Sequence, residues 1–219
     1  MRTQPRPLLA LAAALIFAAP TFSFQSPLSE ESIREAYFLG QRHDDALPRL
    51  LDKYVQHLAL PKTGPYISSI AFFTPFALVA QNSSQHSFNY SAQQAQIDHR
   101  AEAEYVVIRV QIDLTETYGA YLTVPTGSRS GSPIGIRLRP SSFWKEFQVE
   151  VSSDDKYLNA DSFQGEPSFL CGEGACILSG ATLTLEFPAR TFTSDTATVL
   201  VTPPEGDPVQ VDFDLTTLR

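Results

Sequence analysis

The stretch Glu104 to Leu114, EYVVIRVQIDL, decides how the rest of the chain is read. Val106, Ile108, Val110, Ile112 and Leu114 recur at every second position, with Val107, Arg109, Gln111 and Asp113 between them. Successive side chains of a strand point to opposite faces, so this period of two reads as a strand with one wet face. The same spacing returns at Phe147, Val149 and Val151, and again at Leu183, Leu185 and Phe187. It closes the chain at Val199 and Val201, then at Val211, Phe213 and Leu215. Between those last two runs lies Pro203-Pro204-Glu205-Gly206-Asp207-Pro208, which predicts a hairpin with a proline-rich tip. Tyr121 to Val124 and Ile134 to Leu138 are shorter strand candidates. Strands in succession without crossover helices point to antiparallel pairing. The expected fold is α+β, with residues 104–219 forming an antiparallel β-sandwich of immunoglobulin-like or jelly-roll-like type.

Upstream, over residues 24–103, the apolar period is three to four, and a helical region packed onto the sandwich is expected. Ser29 caps a first helix whose opening turn holds Glu30 and Glu31, and Gly40 ends it. A second helix is expected from Asp44 or Asp45, with Leu47, Leu50, Leu51, Tyr54, Val55 and Leu58 as its stripe. Pro48 falls in its first turn, where a missing N–H is harmless. Tyr66 to Phe73 fits either a helix or a buried extended stretch. Thr74-Pro75 is a cap followed by a first-turn proline, and Ser91 with Gln94 forms a capping box for a fourth helix.

The first 23 residues have the three-part layout of a secretory signal. Arg2 and Arg6 make a basic start, Leu8 to Ala19 is apolar, and Thr21-Phe22-Ser23 offers small residues for cleavage. The apolar run is shorter than the ~20 residues a spanning helix needs. No later stretch is long enough either, so no membrane span is expected after cleavage. The expected location is secreted or periplasmic.

The 219-residue chain carries 24 acids against 16 Lys and Arg, a net charge of −8. That balance argues against nucleic acid as a partner, because phosphate contacts reward basic surfaces. Cys171 and Cys176 are the only cysteines, and in an oxidising compartment their spacing reads as one disulfide pinching a glycine-rich turn.

No catalytic or metal-binding signature stands out. The histidines are His43, His57, His86 and His99, with no pair at the i, i+4 spacing of a helical zinc site. His43 beside Asp44 and Asp45 has the make-up of an oriented base, but also of ordinary helix capping. Gly127-Ser128-Arg129-Ser130-Gly131 lacks the register of a serine-nucleophile elbow. Asp154 and Asp155, with Asn159 and Asp161 nearby, gather oxygen ligands of the kind calcium takes, though Lys156 interrupts them. No catalytic residue, metal or cofactor is assigned.

Aromatic side chains remain as binding candidates. Trp144, the only tryptophan, stands beside Phe143 ahead of a strong strand, and Tyr121 follows a turn-like stretch. Exposed on one sheet face, these rings would stack on a sugar or grip a protein. The expectation is an exported, non-catalytic binding or structural protein whose partner is an unknown protein or glycan. The rival is a small secreted hydrolase, acting on glycans, with its site at the helix–sheet junction. A concave pocket with converging titratable groups would favour the rival, and an apolar patch or open strand edge the binding protein.

Overall fold

The computed structural model describes residues 24–42, 44–86, 89–125 and 134–219. The leader, His43 and the Gly127 to Pro133 loop therefore lie outside the described residues. Four helices are found among the described residues: α1 (Glu30–Gly40), α2 (Ala46–Asp52), α3 (Pro75–Gln85) and α4 (Ala92–Ala101). The strands are β1 (Val55–His57), β2 (Tyr66–Phe73), β3 (Tyr105–Asp113), β4 (Tyr121–Pro125), β5 (Ile134–Leu138), β6 (Gln148–Ser153), β7 (Lys156–Leu158), β8 (Ser162–Gly172), β9 (Ala175–Pro188), β10 (Thr196–Thr202) and β11 (Val209–Asp214). All strand pairs are antiparallel, and the class is α+β.

One sheet runs β1-β2-β3-β9-β8 and a second runs β11-β10-β6-β7, while β4 and β5 form a separate two-stranded ribbon. The quoted stretch is the middle strand of the first sheet. Ile108 lies between Phe72 of β2 and Leu185 of β9, and Val110 between Ile70 and Leu183. All six side chains are buried. Val151, Val199 and Val211 make the matching row across the second sheet. The two sheets pack together through these rows, with the Phe72 ring 5.5 Å from Phe213 and 5.1 Å from Phe192. Each such aromatic side chain buries enough apolar area to be worth about 2–3 kcal/mol in transfer alone.

The helices make a second, smaller core of Leu28, Ile33, Ala36, Phe76, Ala80 and Ala95. Three caps are where the sequence put them: Ser29 accepts from Ser32 N, Thr74 from Ala77 N, and Ser91 from Gln94 N. Gly40 has a steric reason to be glycine, since a Cβ there would come within 2.2 Å of the Ala80 carbonyl oxygen. Arg219 ties the helices to the sheets. Its backbone exchanges hydrogen bonds with the Tyr54 hydroxyl, and its guanidinium grips both oxygens of Glu35 on α1.

The second helix is shorter than its apolar stripe implies. It ends at Asp52, and Tyr54, Val55 and Leu58 belong instead to the turn and strand that follow. The competing partner is β2, since Phe72 N donates to Tyr54 O and Leu58 N to Ser68 O. His57 accordingly sits exposed on β1, away from any helix stripe. Tyr66–Phe73 is the buried strand β2 rather than a helix, so the segment upstream of residue 104 supplies two strands of the first sheet.

Candidate functional site

Chain direction assigns different contents to the two ends of the first sheet. At the start of β3 the chain arrives from α4, and at the end of β2 it leaves through Thr74 into α3. This end is the helix–sheet junction. Glu104, between α4 and β3, is its centre. Its carboxylate accepts from Ser26 Oγ at 2.6 Å, Leu28 N at 2.6 Å and His99 Nε2 at 2.8 Å. The side chains of His99 and Glu104 are mostly buried, at 14% and 13% exposure. Burial works against the charge on Glu104, but the donors from His99, Ser26 and Leu28 outweigh it and hold the carboxyl below its ordinary 4.5.

Two clefts open on either side of this pair. One, of about 610 Å³, is lined by Tyr90, Asp98, Arg109 and Glu186. The other, of about 540 Å³, is lined by Ile33, Arg100, Asp161 and Arg190. Chemically the pair is better suited to holding than to reacting. A carboxylate with three donors is a settled anion, not a proton donor near neutrality. Ser26 donates to Glu104 rather than to His99, so the trio is not a serine–histidine relay. What it does join is the segment Phe24 to Leu28, the end of α4 and the start of β3.

The opposite end is where β3 finishes at Asp113, paired with Gly180 of β9. Beyond that point β8 and β9 continue as a two-stranded arm, from Ser168 and Gly180 out to the turn Glu173-Gly174. The register shifts between Ser168 and Phe169, leaving Ser179 without a partner on β8. Such a bulge bends and twists the ribbon away from the sheet. Glycine is needed at 180, because a Cβ would come within 2.2 Å of the Ile112 carbonyl oxygen. Cys171 and Cys176 face each other across the arm and are joined by the disulfide, as their spacing suggested. Phe169, Leu170 and Ile177 are exposed there, with Leu170 at 74%. Leu170 and Ile177 are direct cross-strand partners on one face, while Phe169 and the disulfide lie on the other.

The β4–β5 ribbon leaves the molecule at the same end, since the chain reaches β4 from the end of β3 through Thr115 to Ala120. Its root is fixed. Arg139 donates from Nε to Gly119 O and lays its guanidinium 3.5 Å from the centre of the Tyr118 ring. Burial pushes the Tyr118 phenol up to about 12, the Arg139 charge opposing it. Tyr121 pairs with Leu138 and Thr123 with Ile136, so Tyr121, Ile136 and Leu138 share one face. All three are exposed, Ile136 at 78%.

The three aromatic candidates go to three environments. Phe143 is 1% exposed, in the core against Tyr118 and Phe147, so its ring has no surface to offer. Trp144 is half-buried, edge-on to Phe163, with its ring on Gly165 of β8. A Cβ at 165 would come within 2.2 Å of that ring. Only Tyr121 stands free, and among the described residues no ring pair joins it to the other two. The acidic loop is a hairpin turn: Asp154 and Asp155 both have positive φ and close β6 onto β7. No group of three metal-ligating side chains is found among the described residues.

Sequence reasoning passed over Leu170, Ile177, Ile136 and Leu138. A signal existed for the arm: Phe169-Leu170 and Ile177-Leu178 are adjacent apolar pairs. Adjacent strand residues point to opposite faces, so one of each pair needs a cover from outside the sheet. No signal existed for Glu104 and His99, whose partners Ser26 and Leu28 are distant in sequence.

No protein-family model matches the chain, and no curated protein matches it.

Proposed function

We propose that the chain is an exported, non-catalytic binding protein that docks on another protein through the end of the sheet carrying the β8–β9 arm and the β4–β5 ribbon. The observation behind this reading is the arm itself, a disulfide-clamped hairpin holding Phe169, Leu170 and Ile177 in solvent beyond the sheet. Large apolar side chains gathered on projecting hairpins are the mark of a surface meant to be covered. The ribbon supports it, because a two-stranded hairpin with one apolar face is marginal by itself in water. Export rests on the leader and on a disulfide that an oxidising compartment would maintain. No described helix is long and apolar enough to cross a membrane.

A photo-crosslinking residue at position 170 or 136, in cells producing the protein, tests the reading. The expected result is an adduct from those positions and none from position 157, where Tyr157 is equally exposed on β7, outside both hairpins. Adducts from 157 alone would defeat it.

A second reading, a hydrolase at the helix–sheet junction, has the two clefts flanking His99 and Glu104 in its favour. It predicts loss of turnover on a glycan or ester substrate in His99→Ala with the fold intact. The saturated bonding of Glu104 makes it the weaker of the two.

A further inference from the structure

The charges at the hairpin end are sorted by sign. From Thr117 to Lys145, a span that contains the whole β4–β5 ribbon, there is no Asp or Glu in a chain whose net charge is −8. From Tyr157 to Ala189, a span that contains the whole arm, there is no Lys or Arg. Among described residues the ribbon carries Arg137, with Arg139 at its root, and the arm carries Glu173 at its turn, with Glu166 just inside it on β8. One molecule thus presents, at one end, an acidic hairpin with exposed Phe169, Leu170 and Ile177 and a basic hairpin with exposed Tyr121, Ile136 and Leu138.

Resting on the docking reading above, we infer that the partner is a second copy of this chain, with the arm of each copy laid against the β4–β5 ribbon of the other about a two-fold axis. A two-fold interface is self-complementary, so a contact between two complementary patches on one surface is made twice and the assembly closes. Arm and ribbon are such patches: both leave the sheet at the end of β3, both are apolar, and their charges are opposite. Pairing arm with arm, or ribbon with ribbon, would set like charges together, which costs affinity and disfavours those registers. The disulfide fits the same design. It holds the arm's shape before contact, so less conformational freedom is lost on association.

Sedimentation equilibrium of the mature protein across the micromolar range is the test, with circular dichroism melts confirming that every variant is folded. A monomer–dimer equilibrium is expected. Leu170→Glu and Ile136→Glu should each weaken it roughly 30-fold or more, as loss of a central apolar contact does. Arg137→Glu and Glu173→Arg should each weaken it less, and the double variant should regain much of what the single changes lose. A monomer at every concentration overturns the inference. So does a dimer indifferent to Leu170→Glu and Ile136→Glu, because it uses another surface. Crosslinks from position 170 to a different protein, with the purified chain monomeric, would leave the docking reading standing and remove only the second copy.

Discussion

Where α4 enters β3, a mostly buried carboxylate accepts three hydrogen bonds and fastens the N-terminal segment to the fold. Where β3 ends, two hairpins carry large apolar side chains into water. The two regions lie at opposite ends of β3, a strand's length apart, yet their chemistry is reversed. The junction has satisfied its polar groups internally, and a change there should be felt as stability. The hairpin end has left its apolar groups uncovered, and a change there should be felt in association. The distinction can be attacked one residue at a time.

The largest effect belongs to the core that both ends share. Phe72→Ala removes a ring touching both sheets and should cost about 4 kcal/mol in urea unfolding. A loss below about 1 kcal/mol would mean that the sheets do not depend on this contact.

Glu104→Ala comes next. It strips Ser26, Leu28 N and His99 of their acceptor, and a loss of about 2 kcal/mol is expected, with proteolytic cleavage appearing near residues 24–28. The same latch gives a pH dependence. Glu104 has a folded value below its ordinary 4.5, so its contribution is complete above that pH and is lost as pH falls through the lowered value. Unfolding measured in mildly acidic buffers should show this slope, and Glu104→Gln should flatten it.

The disulfide stands between the two regimes. Cys171→Ser with Cys176→Ser opens a short loop, for which the chain-entropy cost is about 2 kcal/mol at most. Because the pair lies in the arm, beyond the pairing with β3, the loss should be local: faster amide exchange over Leu170 to Ile177, with the melting temperature little changed. A large fall in global stability would place the arm inside the cooperative core and blur the contrast between the ends.

The smallest effect on stability is expected from Leu170→Glu, within about 0.5 kcal/mol of the parent in the monomeric state. If it destabilised the isolated chain as Glu104→Ala does, the apolar arm would be part of the fold's support and not a surface awaiting cover.

What the sequence disclosed follows from what each residue answers to. Val106 to Ile112 alternate because both neighbouring strands bury the same face, and a buried face writes a strict period into the chain. The caps at Ser29, Thr74 and Ser91 are local chemistry, complete within three residues, and were legible for that reason. Tyr54 and Val55 carry helical spacing but answer to β2, more than ten residues downstream, so the spacing misled. Ile136 and Leu138 show the limit most clearly. Their alternation reads as one buried face, and alternation is the same whether that face is covered by the chain's own core or by something else. Trp144 and Phe143, adjacent in sequence, part company because one faces Tyr118 and Phe147 in the core and the other covers Gly165 on an edge strand.

Covalent carbene labelling of Tyr121, Ile136, Leu138, Phe169, Leu170 and Ile177, read by mass spectrometry, probes the contrast at its root. In dilute purified protein these side chains should label heavily, and in the cells that produce the protein they should be shielded, while Tyr157 labels alike in both. Equal labelling of the hairpin residues in the two settings would show a surface that nothing covers, and the account of this end of the molecule would be wrong.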